Sequence, residues 1–290
     1  MQHPDVAPAP RKLTAARGRS SRLNISRLLL RTTAVLVFGF ILIPVVFVVW
    51  ISFFSNQIIS FPAQGYTLRW YANIWLQRAF ADGFRLSLQV AVLSMFGGLL
   101  VGVPAALGLV RYRFPGREAL NTLLLSPLVV PGIVAGIALF VFLVRIGELL
   151  GVRLTATIPG LALAHILLTI PWTVRLIAAS LIGMDRSVEE AAMNLGANPW
   201  VTFYRVTLPM IRAGIVAAAI FSFITSFTNL EFSLLLVGPG RTTLPIAVLQ
   251  YLEFNLDPTI AAVATVQITI TAVAMLITDR LVGLGQVVRR

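Results

Sequence analysis

Asp185–Pro209, DRSVEEAAMNLGANPWVTFYRVTLP, decides how this chain is read: it places five charged side chains between two long apolar runs that hold few. Its pattern is helical. Asp185 can cap orphan amides, and Glu189 and Glu190 fall in the first turn, where carboxylates suit the helix dipole. Gly196 supplies the left-handed residue that closes a helix. Asn198 is a second cap and Pro199 takes the first position of a second short helix, whose apolar face is Trp200, Phe203, Tyr204 and Val206. Two short helices joined at a glycine, with aromatics on one face, fit a docking element for a partner. They fit equally a helix pair lying on lipid headgroups.

The flanks fix the class. The chain has 290 residues, 58% hydrophobic and 12% charged, with mean hydropathy +0.88; soluble domains carry about 25% charged residues. Crossing the hydrocarbon takes roughly 20 helical residues. Six runs qualify, near Thr32–Phe54, Leu86–Val110, Ala119–Val144, Ile158–Ile182, Leu208–Val237 and Thr259–Leu281. Lipid offers backbone groups no partner, so each run must be helical. The expected architecture is an all-α membrane protein: a flexible basic tail over 1–31, a membrane-spanning domain over 32–290, and the connecting loop at 183–207. The first run exceeds the roughly 7–15 residues of a signal-peptide core and lacks a small-residue cleavage site, so it is expected to stay as an anchor.

Net charge +12 raises nucleic acid as a partner, but its distribution is topological. With the N-terminus inside, seventeen Lys and Arg fall on cytoplasmic segments and six outside. The excess puts both termini in the cytoplasm, with 183–207 on the same side, and Phe54–Arg85, Arg145–Thr157 and Gly238–Pro258 outside. No nucleic-acid-binding module is visible, and the absence of cysteine excludes disulfides and thiolate metal sites.

Within the spans, Gly98 and Gly102, and Gly132 and Gly136, have the small-xxx-small spacing that lets backbones approach. Pro127 and Pro131 are expected to kink the third run, and Pro171, next to Trp172, to break the fourth.

Glu190-Ala191-Ala192, three residues, Gly196, nine residues, then Val206-Thr207-Leu208-Pro209 resembles the EAA loop of the membrane subunits of bacterial ABC importers, with Val206 where that family has Ile. Thr67–Trp75, Ser126–Phe140 and Gly238–Val266 are similar to the spermidine/putrescine permease branch. The resemblance covers most of the chain beyond the tail. It implies the six-helix type I importer permease fold with a cytoplasmic coupling helix, in the bacterial inner membrane. It also implies a second homologous permease, two cytoplasmic ATPase subunits that bind ATP and Mg2+, and a periplasmic solute-binding protein. On this reading Glu189, Glu190, Ala191, Ala192, Gly196, Ala197, Pro199, Trp200, Phe203 and Tyr204 couple the permease to the ATPase.

The residues agree with that division of labour. A phosphate-binding P-loop needs Gly-Lys-Ser/Thr after a glycine-rich turn, yet the one lysine is Lys12, after Arg11. This chain is therefore expected to bind no cofactor and to be no enzyme. Histidine occurs at positions 3 and 165 alone, so metal and histidine-based catalytic sites lack parts, and His165 reads as a packed or cavity-facing residue. An acid inside a span is a functional hypothesis by default, which singles out Glu231. Polyamine permeases are expected to carry an acidic pair where this chain has Thr228 and Asn229, and that departure weakens a polycation reading. The hydroxyl and amide suit an amino-acid derivative about as well as a polyamine such as spermidine or putrescine, the two solutes the resemblance and the residues leave as expectations. Trp172 joins Thr228, Asn229 and Glu231 as a candidate path residue. A self-contained carrier or channel would need several buried acids or inverted repeats of broken helices; the sequence offers Glu231 and no inverted repeat.

Overall fold

The computed structural model describes residues 19–282, with side chains within 27–280. Residues 1–18 of the expected tail and 283–290 of the expected permease domain lie outside the described residues. The described chain is helical, with one isolated bridge between Phe54 and Tyr66.

Helix α1 (Arg19–Ile51) begins inside the stretch read as a flexible tail. Once the apolar segment has nucleated a helix, each added Leu, Arg or Ser costs little, so SRLNISRLLLR continues it. Pro44 is accommodated within the helix.

From Ile51 onward the chain forms a separate compact unit. The segment after α1, expected to lie outside, is structured: helix α2 (Arg69–Leu76) buries Trp70 and Ile74, and Trp70 Nε1 donates to the Phe54 carbonyl at 2.6 Å. Helix α3 (Arg78–Arg111) is long enough to cross a membrane. Its small residues set the core, for Thr169 and Thr173 occupy the space that a Cβ on Gly98 and Gly102 would need. The expected close approach thus brings α3 onto the fourth span.

The third run is broken into two helices where a kink is expected. Helix α4 (Arg117–Leu125) gives way to a single 3-10 turn at Ser126–Leu128, and α5 (Gly132–Leu150) starts afresh after Pro131. Two prolines four residues apart each remove a backbone donor, and the ladder does not bridge them. Helix α5 continues past Arg145 to Leu150, shortening the expected outer loop.

In the fourth run the expectation is corrected: α6 (Ile158–Ile182) runs unbroken through Pro171. Pro171 is buried in that helix, and packing by neighbouring helices tolerates a proline that an isolated helix would not. Then come α7 (Ser187–Asn194), α8 (Pro199–Thr202), a π-helical stretch Phe203–Thr207, and α9 (Leu208–Met210). Helix α10 (Arg212–Phe227) leaves that segment at 67°. The fifth run breaks again before α11 (Glu231–Leu236). Helices α12 (Leu244–Phe254) and α13 (Thr259–Val282) complete the described residues. Among the described residues, five helices are long and apolar enough to cross a membrane, and six spans result if the bent α8–α10 segment counts as one.

Helices α3, α6 and α10 form the centre, with Ala106, Ile177, Leu181, Ile211 and Ala218 packed at the α7 end. Leu86, Val90, Leu139, Leu143, Phe232 and Leu236 pack α5 and α11 against α3 and α6. A third cluster joins Trp70, Phe80, Phe227, Leu244 and Val263.

Candidate functional site

The connecting element is assembled as its capping residues dictate. The Asp185 carboxylate accepts from the Ser187 backbone N–H at 2.9 Å. That bond, with a further one to the Ser187 side chain, holds its carboxyl below the ordinary range. At the far end Gly196 sits at φ +92°. Its N–H bonds to the Met193 carbonyl and the Ala197 N–H to the Ala192 carbonyl at 3.1 Å, the paired closure of a Schellman motif. Asn198 Oδ1 accepts from Val201 N–H at 2.9 Å and starts α8.

The two adjacent carboxylates point to different environments. Glu190 is exposed and within 3.6 Å of Arg186. Glu189, grouped by sequence with the ATPase-contact residues, is instead buried inside this chain. Its Oε2 lies 2.9 Å from Arg111 Nη2 at the end of α3, and its Oε1 accepts from Thr207 Oγ1 at 2.6 Å. One carboxylate thus joins the second span, α7 and the base of the fifth run.

The aromatics also divide from the rest. Trp200 and Tyr204 are exposed and stacked, ring centroids 6.5 Å apart. With exposed Pro199 and half-buried Phe203 they line an apolar groove of about 790 Å3 along Phe96, Leu100 and Leu107 of α3. Glu190, Ala191 and Leu195 lie outside that groove and are exposed, Leu195 by 90%; Ala192 and Ala197 are half-buried. Sequence reading did not single out Leu195, although an apolar residue beside a helix-closing glycine is a signal for it.

A second constellation forms where two broken runs meet. Thr228 closes α10 through a hydroxyl bond to the Ile224 carbonyl at 2.9 Å. Asn229 Oδ1 accepts from the Phe232 N–H at 2.9 Å and caps α11. Glu231 opens α11 and is exposed. Its carboxylate fills the space beside Gly132, the first residue of α5, where any Cβ would collide with Oε2. A carboxylate at a helix N-terminus meets unpaired amides and the positive end of the dipole. Gly136, one turn on, admits Leu235 and the Glu231 carbonyl. Trp172 stands apart from this group: its ring packs on Phe221, centroids 4.7 Å apart.

Residues 98–284 match the family model described as binding-protein-dependent transport system inner membrane component. The chain is 32% identical over 229 residues to the putrescine transport system permease protein PotI of Escherichia coli, covering 79% of this chain and 81% of the relative. It is 28% identical over 259 residues to the spermidine/putrescine transport system permease protein PotC of Escherichia coli, covering 89% and 95%. The molybdenum transport system permease protein ModB of Escherichia coli is 32% identical over 212 residues, covering 69% and 93%. Among solved structures, a bacterial alginate ABC transporter bound to its periplasmic protein superposes with TM-score 0.64 at 20% identity, covering 90% of this chain and 96% of that one. The inward-facing methionine transporter MetNI gives 0.58 at 20% identity, covering 73% and 97%. The all-helical fold is therefore that of ABC importer permeases.

Proposed function

The chain belongs to the inner membrane components of binding-protein-dependent transport systems, and from that membership we propose that it is the permease half of an ATP-driven importer for a small amine-bearing solute. A second permease completes the path, two ATPase subunits supply hydrolysis with their own ATP and Mg2+, and a periplasmic binding protein delivers the solute. Both termini and the α7–α9 element face the cytoplasm, in keeping with the arginine asymmetry.

The observation that carries this reading is the α7–α8 element: its exposed surface of Glu190, Ala191 and Leu195 is available to a partner, while Glu189 is bonded inward to α3 and the fifth run. A push on that surface reaches two spans at once. The aromatic pair, lining a groove along α3, suits the edge of the bilayer.

Relatives of equal identity serve putrescine and molybdenum transport, so overall similarity does not choose the solute. Glu231 favours the amine. An exposed carboxylate beside the break attracts a cation and repels an oxyanion, and Thr228 and Asn229 add neutral polar groups.

The test is reconstitution of the complete system in proteoliposomes. Labelled putrescine should accumulate with ATP and molybdate should not. Glu190→Lys should leave insertion normal while reducing ATPase recovered with the permease. Full ATPase recovery and wild-type uptake in that variant would remove the α7–α8 surface from the coupling role.

A further inference from the structure

His165 lies on α6 within the bundle, 1% exposed, and both ring nitrogens are engaged by the broken fifth run. Nδ1 is 2.8 Å from Ser226 Oγ on α10 and Nε2 is 3.1 Å from Ser233 Oγ on α11. The two serines lie on either side of the Thr228–Leu230 break, so a single side chain on the fourth span holds both halves of the fifth.

The direction of these bonds follows from the last link. Ser233 Oγ donates to the Asn229 carbonyl at 3.0 Å, so its proton is committed and it accepts from His165 Nε2–H. A neutral ring protonated at Nε2 has its acceptor at Nδ1, which receives the Ser226 hydroxyl proton. The chain therefore runs Ser226 to His165 to Ser233 to Asn229, each group donating to the next. Ser226 and Ser233 are as buried as His165, so no water competes for these bonds, and a lost partner leaves a buried group unsatisfied. The chain ends on Asn229, whose side chain caps α11 beside Glu231.

We propose that His165 is a positioning residue for transport: by bonding to both halves of the fifth run it sets the geometry of the Thr228–Leu230 break, and with it the placement of Asn229 and Glu231 towards the solute. The proposal rests on the reading of that break as part of the solute path. A ring that only filled space would be replaced well by phenylalanine; a ring that acts through its two nitrogens would be replaced better by glutamine, whose amide also pairs a donor group (NH2) with an acceptor group (C=O) at its tip.

The experiment uses the full chain in its assembled transporter. Because the sequence has no cysteine, Thr228→Cys gives one thiol at the exposed edge of the break, and its labelling rate with a small maleimide reports the local geometry. His165→Phe should raise that rate about fivefold, the equivalent of one buried hydrogen bond, and lower putrescine uptake per ATP in parallel. His165→Gln should keep both within about twofold of the parent. Equal labelling in parent and His165→Phe overturns the proposal, as does a Gln variant as impaired as Phe. If His165→Phe is not recovered in the membrane, Ser233→Ala, which removes one oxygen from the chain, carries the same test with the same expected direction. Asn229→Leu and Glu231→Gln are measured alongside. If labelling responds to His165 while those two keep wild-type putrescine uptake, the path reading fails and the transport role of His165 fails with it, although its hold on the break stands.

Discussion

Glu189 and Arg111 form an ion pair at 2.9 Å with both side chains largely out of solvent, and Thr207 completes it from the base of the fifth run. Removing one partner of such a pair strands the other charge, which costs about 3 kcal/mol or more. Glu189→Gln should destabilise the detergent-solubilised chain by that order, and uptake per ATP should fall because α3 and the fifth run no longer move with α7. Replacing both residues by Met should cost less stability than the single change, because no buried charge is left unpaired. Chemical unfolding of the single and double variants measures the coupling; additive losses would show that the pair does not act as a unit.

Gly196 offers a cleaner test of the backbone. A Cβ there would meet nothing within 4 Å, so any cost of a side chain comes from φ +92° alone. Gly196→Val should cost on the order of 1–3 kcal/mol and turn α8 away from α7. Gly196→Asn should be tolerated far better, since Asn visits the left-handed region readily. ATPase recovered with each purified variant reads the outcome: a Val variant that retains its full complement would show that the angle at Gly196 is unimportant for docking.

The bond from Ser187 N–H holds the Asp185 carboxyl below its ordinary value of 3.8. Its folded-state value is depressed, so its contribution to α7 is fully present above the unfolded value and is lost as pH falls through the folded one. The start of α7 should therefore be insensitive to pH from neutrality down to about pH 4 and loosen below it. Asp185→Asn, an equally good cap, should abolish that acid response while leaving neutral-pH exchange of the Ser187 amide unchanged. Hydrogen exchange at that amide across the acid range is the measurement, and an identical acid response in Asp185→Asn would assign it to another group.

Much of this was legible in the sequence, for identifiable reasons. Run length finds spans because lipid demands helices of a fixed reach, and the Asp185, Gly196 and Asn198 caps are local devices that act within a few residues of themselves. The inward turn of Glu189 was not legible, because two adjacent carboxylates look alike until Arg111, far away in the chain, selects one of them. Pro171 was misread because its neighbours, rather than its own ring, decide whether α6 continues. Glu231 was found as an acid within a span, but its seat on Gly132 joins two runs whose register no periodicity specifies.

That seat makes Gly132 as informative as the acid itself. Gly132→Ala adds one methyl group, yet the methyl would occupy the position of Glu231 Oε2, so either the carboxylate leaves the N-terminus of α5 or α5 moves off α11. Overpacking of this kind costs about 1–3 kcal/mol, and both routes alter the charge presented at the break. Putrescine uptake should fall in Gly132→Ala and in Glu231→Gln alike, with ATPase recovery intact in both because the α7–α8 element is untouched. Combining them should add little, since each removes the same carboxylate from the same place. Glu231→Asp, one methylene shorter and still charged, separates position from charge: with the alanine present, the shorter side chain leaves room for the new methyl and should restore part of the uptake lost in Gly132→Ala. No rescue by Asp, together with strict additivity of Gly132→Ala and Glu231→Gln, would mean that the two residues act on transport independently and that their contact only packs α5 against α11.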